Sequence, residues 1–67
     1  MKGICKKCGK FKHLTRHHLL PQRWWQGRGR IKRLCRDCHN KIELLIPFQK
    51  MPVRFYFQVF RYFIREY

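Results

Sequence analysis

Four cysteines in 67 residues constrain this chain more than any other feature. They fall as two Cys-x-x-Cys pairs, Cys5/Cys8 and Cys35/Cys38, with 26 residues between the pairs. A chain this short buries too little apolar surface to fold on a core alone, and usually needs a disulfide, a metal or a partner. Two tight thiolate pairs suit one tetrahedral zinc ion, each pair reaching the metal from a knuckle, and Gly9 permits the turn after the first. A disulfide framework is the competing staple. The opening residues Met1-Lys2-Gly3-Ile4-Cys5 carry no apolar signal-peptide core, so the expectation is structural zinc in a reducing, cytoplasmic compartment.

Charge comes next. Lysine and arginine number 17 against three acids, a net charge of +14. Such a density opposes compaction and calls for a polyanionic partner, nucleic acid first. An anionic membrane surface is the lesser alternative. The C-terminal segment is too short and too charged to span a bilayer, and no membrane association is expected.

Along the chain, residues 1–10 form the first knuckle. Residues 11–20 read as a strand pair or a strand and turn: Phe11-Lys12-His13 alternates, and Leu14 to Leu20 is a second extended run that Pro21 stops. Residues 22–33 read as a basic loop without helical or strand period, and Ile31–Leu34 as a short returning strand. Residues 38–46 read as a helix, because His39, Ile42, Glu43 and Ile46 repeat at i, i+3, i+4 and i+7, with Asp37 near its start and Pro47 after it. Residues 48–52 are a linker. From Val53 to about residue 66, Arg54, Gln58, Arg61 and Arg65 form one polar stripe on an otherwise aromatic helix. Two units result: residues 1–47 as the working domain, and residues 48–67 as a helix that packs on the core or joins a second copy in a homodimer.

The loop and the extended segments on either side of it supply candidates for contact with nucleic acid. Arg16, Arg23, Arg28, Arg30, Lys32 and Arg33 suit phosphate, and Trp24 and Trp25 suit stacking or wedging at a base step. Equally, one of the two tryptophans can simply cap the small core.

Chemistry would come from the histidines. His17 and His18 precede the proline turn, and His39 opens a helix directly after a knuckle cysteine. Zinc would fix the distance between these two segments. Imidazole can hold a metal or take a proton from water at neutral pH, so adjacent histidines can divide those roles. Glu43, one turn after His39, can join a ligand set or form a surface ion pair with Lys41 or Arg36. His13 reads as surface.

Taken together, Cys5-x-x-Cys8, Arg16-His17-His18-Leu19-Leu20-Pro21 and Leu34-Cys35-x-x-Cys38-His39-Asn40-x-Ile42-Glu43 resemble the zinc-stapled branch of the HNH endonucleases, over about residues 4–46. The resemblance implies a small α+β domain with a ββα-metal (His-Me finger) core, a hairpin and a helix gripping one divalent metal. It implies that His17 and His39 hold that metal, which in the family is commonly magnesium, manganese, nickel or zinc. His18 would be the general base, and double-stranded DNA the substrate. Small nucleases of this kind belong to phage, mobile-element or host-defence settings. The chain departs from the family pattern at the middle asparagine, which is absent from residues 28–34. Asn40 lies beyond Cys38, and Arg28 and Arg30 are the candidates for the vacant place. The alternative function is a zinc-ribbon nucleic-acid-binding protein without catalysis.

Overall fold

The computed structural model describes all 67 residues. Its centre is a strand, β2 (Phe11–His18), which is paired on both sides. β1 (Lys2–Ile4) runs antiparallel to its first half, with Lys2 opposite His13 and Ile4 opposite Phe11. β3 (Ile31–Cys35) runs antiparallel to its second half, with Leu14 opposite Cys35 and His18 opposite Ile31. Phe11–His18 is thus one continuous strand rather than two runs. Its neighbours exchange partners halfway, so a single alternation does not persist along it.

Two elements lie where the sequence carries no period. β1 is three residues long, too short for a pattern to register. Its pairing comes from the first knuckle, where Gly9 N–H donates to Cys5 O and Cys5 N–H donates to Lys10 O, both at 2.9 Å. Gly9 holds φ at 74°, a left-handed value that suits glycine. The second element is α1 (Gln22–Trp25), a single turn inside the stretch read as loop. Buried Pro21 enters it with φ −54°, and its carbonyl accepts from the Trp24 and Trp25 N–H groups. Gln26 closes it in the left-handed region at φ 50°. Gly29 then returns the chain at φ 91°, where a Cβ would stand 2.9 Å from Leu20 Cδ1.

α2 spans Arg36–Glu43, starting and ending earlier than the sequence period suggests. Beyond Glu43 the chain tightens into i→i−3 bonds, with Leu45 N–H to Ile42 O at 2.9 Å and Ile46 N–H to Glu43 O at 3.2 Å. Asp37 sits in the first turn of α2, and its ion pair with Lys12 at 3.8 Å is too exposed to stabilise much.

α3 (Val53–Arg65) carries the aromatic tail as a helix. Tyr56 and Phe63, seven residues apart on one face, are fully buried. The Tyr56 hydroxyl donates to Gln49 O at 3.3 Å and accepts from Met51 N–H at 3.0 Å, which ties the linker to the helix. At the far end, Lys7 Nζ lies over the Phe63 ring and donates to Tyr67 O at 3.0 Å.

The core is small. Leu14, Leu34, Ile42 and Phe63 pack with Cys5, Cys35 and Cys38, flanked by Leu45, Val59, Phe60 and Ile64. Three thiols stand where a larger domain would have aliphatic side chains. No helix is long and apolar enough to cross a membrane.

Candidate metal centre

The two knuckles bring all four thiols together: the Cys5, Cys8, Cys35 and Cys38 sulfurs lie within 4.8 Å of one another, and none forms a disulfide. Cys8 Sγ is 4.0 Å from Cys35 Sγ. A tetrahedron of sulfurs about 2.3 Å from an ion has edges of roughly 3.8 Å, so the spacing fits zinc. Cys35 N–H points at Cys5 Sγ from 3.4 Å. Burial raises the Cys5 thiol, but the N–H groups of Cys35, Cys8 and Lys7 outweigh it and bring the pKa down to about 6. Burial, with hydrogen bonds to Cys35 and Cys5 and the charge they carry, pushes Cys38 up to about 12. One thiolate is favoured and the next is opposed by it. A divalent cation at the centre removes that opposition, and this cluster can hold one.

A second cluster lies where β2 meets α2. His17, His39 and Glu43 offer ligand atoms within 4.8 Å of one another. Glu43 Oε1 is 3.4 Å from His17 Nδ1 and 3.3 Å from His39 Nε2. Two ligands on an ion at about 2.0–2.1 Å are separated by roughly 3.4 Å in tetrahedral geometry, so both edges fit. His17 is fully buried, and its Nδ1 has no hydrogen-bond partner. Its ring stacks on Phe60, 13° from parallel, and meets the His39 ring edge-on at 5.2 Å. Glu43 forms no ion pair with Lys41 or Arg36; both of its charge contacts are histidines.

Thr15 settles which nitrogen of His39 is free. Its hydroxyl donates to Leu34 O at 2.8 Å, so the oxygen accepts from His39 Nδ1–H at 2.7 Å. That leaves the Nε2 lone pair aimed at the Glu43 carboxylate. Burial is the main cause that lowers the His39 pKa; the neighbouring His17 adds to it and Glu43 opposes it. His17, whose Nδ1 lies 3.4 Å from the carboxylate but outside hydrogen-bond geometry, is the chief cause that holds the Glu43 carboxyl below its usual range, against its own burial. A neutral His39 and an ionised Glu43 face each other with lone pairs only. A cation between them satisfies both, together with the orphaned His17 nitrogen.

His18, next to His17 on β2, shares a cavity of about 230 Å³ with His39 and Glu43. Arg16 and Arg23 also line that cavity. The Gln22 side-chain amide donates to His18 Nε2 at 2.9 Å, which needs that nitrogen unprotonated.

The remaining basic and aromatic candidates are dispersed. Trp24, Trp25 and Arg28 border a separate cavity of about 310 Å³. Arg30 and Lys32 border a third, and Arg33 pairs across the sheet with Arg16. Trp24 and Trp25 are both half-buried, Trp25 edge-on to Tyr56 and Trp24 edge-on to Phe48. Neither Arg28 nor Arg30 lines the histidine cavity. The end of the hairpin is braced instead by backbone, with Leu19 N–H donating to Arg30 O at 3.0 Å. Asn40 is exposed on α2. Thr15 and Gln22 were not among the residues picked from the sequence. Thr15 could have been found, since it lies two residues before His17 on the same face of one strand.

The chain matches no protein-family model, no curated protein and no solved structure.

Proposed function

We propose that the chain is a metal-dependent endonuclease that hydrolyses phosphodiester bonds in DNA. The supporting observation is the convergence of His17, His39 and Glu43, with His18 and two arginines in the adjoining cavity. On this reading β2, β3 and α2 form a ββα-metal core of the kind that HNH endonucleases use, stapled by zinc on Cys5, Cys8, Cys35 and Cys38. His17, His39 and Glu43 hold the second, catalytic cation.

A divalent metal held by His17, His39 and Glu43 would supply Lewis-acid stabilisation of the charge that develops at phosphate. The chain's own residues do the rest. His18 Nε2 takes a proton from the attacking water as its oxygen bonds to phosphorus, the water displacing the Gln22 amide from that lone pair. The bond from phosphorus to the leaving sugar oxygen breaks, and that oxygen is protonated from solvent. Arg16 and Arg23 neutralise the non-bridging oxygens, where charge accumulates. Thr15 fixes the His39 tautomer, and Gln22 holds the His18 ring in the cavity. The net charge of +14 draws the polyanion to the site at diffusion-assisted rates.

The test is cleavage of supercoiled plasmid by the zinc-loaded protein with added magnesium, manganese or nickel. Nicked or linear product is expected from the parent. His18→Ala should cut at least about 100-fold more slowly, as loss of a general base predicts, while it still binds DNA. Equal cutting by parent and variant would refute the assignment of the base. DNA binding without product under any of the metals would leave the zinc-ribbon binder, a reading that the charge and the basic cavities support equally.

A further inference from the structure

A cavity of about 460 Å³ has no part in the reaction proposed above. One wall is a face of α3 that carries Phe57, Phe60, Arg61 and Arg65, at i, i+3, i+4 and i+8. Facing it are Arg30 and Lys32, from the approach to β3 and from the strand itself, and Lys6 from the first knuckle. Five cations therefore surround the cleft, and no acid lines it. Leu19, Phe57, Phe60 and Ile64 supply the apolar part of the lining. Phe57 is 42% exposed, a large aromatic surface open to solvent on a helix that buries only Tyr56 and Phe63. Lys32 Nζ lies 5.6 Å from the Phe60 ring centre.

We infer that this cleft binds single-stranded nucleic acid, an unpaired base stacking on Phe57 while flanking phosphates meet the surrounding lysines and arginines. Three features favour this occupant. Cations without acids select a polyanion. An aromatic floor selects a ligand with flat apolar faces, which paired bases hide inside a duplex and unpaired bases present. The cleft is open to solvent along its length, and its volume of about 460 Å³ leaves room for a base. An anionic lipid shares the charge and the apolar character, but does not need an aromatic ring at Phe57.

Phe60 links the cleft to the metal centre, because it lines the one and stacks on His17 of the other. A strand held here would run beside the histidine cluster. The inference is independent of cleavage, since it is read from binding with no divalent metal added.

The experiment is fluorescence anisotropy of the full, zinc-loaded chain with a labelled 12-nucleotide oligothymidine. A blunt hairpin duplex and anionic phospholipid vesicles serve as competitors, across a salt series. Phe57→Ala should weaken oligothymidine binding about five-fold or more, with little effect on the duplex. Arg61→Gln/Arg65→Gln should lower the slope of log affinity against log salt by about 1.4, at roughly 0.7 per phosphate contact. Arg54→Gln/Lys10→Gln removes the same charge outside the cleft and should change the slope by less than half as much. Circular dichroism and zinc content verify that each variant is folded. The inference is overturned if Phe57→Ala binds oligothymidine like the parent, or if the two double variants behave alike. It is equally overturned if duplex binding depends on Phe57 as strongly as single-strand binding, or if only vesicles compete.

Discussion

Replacing Thr15 by valine keeps the shape of the side chain and deletes its hydroxyl. Two hydrogen bonds disappear: the one to Leu34 O at 2.8 Å and the one from His39 Nδ1 at 2.7 Å. At about 0.5–1.5 kcal/mol each, the pair is worth about 1–3 kcal/mol. The second bond also fixes the tautomer that turns the His39 Nε2 lone pair toward Glu43. Outer partners of this kind typically change metal affinity by about 10- to 100-fold, an energy of about 1.4–2.7 kcal/mol, separate from the loss of folding stability. Thr15→Val should therefore weaken manganese or nickel binding at the histidine cluster by that factor. The four-thiolate site should be unaffected, because Thr15 touches none of its sulfurs. Isothermal titration of the zinc-loaded protein measures the first quantity, and thiolate-to-cobalt charge-transfer absorption checks the second. Thr15→Ser, which keeps the hydroxyl, should recover most of the loss. Unchanged affinity in Thr15→Val would refute the tautomer assignment, and so would equal losses in valine and serine.

Two further outcomes follow from the core. Stripping zinc with a chelator should abolish the cooperative near-ultraviolet and far-ultraviolet circular dichroism transition, since three of the seven core side chains are thiols; a chelated chain that still melts cooperatively would show that the apolar residues suffice. Phe63→Ala should cost about 3–5 kcal/mol, because the ring is fully buried against those thiols; urea denaturation reads the loss, and a change below about 1 kcal/mol would mean that α3 does not complete the core.

Much of the scaffold was legible because it rests on local chemistry. The paired spacing of the cysteines implies two knuckles whatever lies between them, and the four thiols do gather. The stripe of Arg54, Gln58, Arg61 and Arg65 marks a helix, and α3 covers that stretch. The misses fall where an element is too short for periodicity. Lys2–Ile4 becomes a strand only because the knuckle folds it back, and Gln22–Trp25 becomes a turn of helix only because Pro21 and left-handed Gln26 bracket it. Glu43 was ambiguous for a different reason. A glutamate four residues after a histidine occurs on many helices, and Lys41 and Arg36 were available partners.

The amino-acid order by itself determined the inventory: four thiols in two tight pairs, three histidines close to them, a surplus of positive charge and an amphipathic aromatic tail. These are properties of neighbours in the chain, set by side-chain chemistry and by helical or knuckle periods. Tertiary structure decided which of them meet. The pairing of β2 with β3 and the packing of α2 across them put Glu43 between His17 and His39, 26 residues and four residues away in sequence. The packing of α3 gave Phe60 to both the histidine cluster and the basic cleft. Such encounters depend on strand register and on helix placement over a shared core. No local pattern encodes either one.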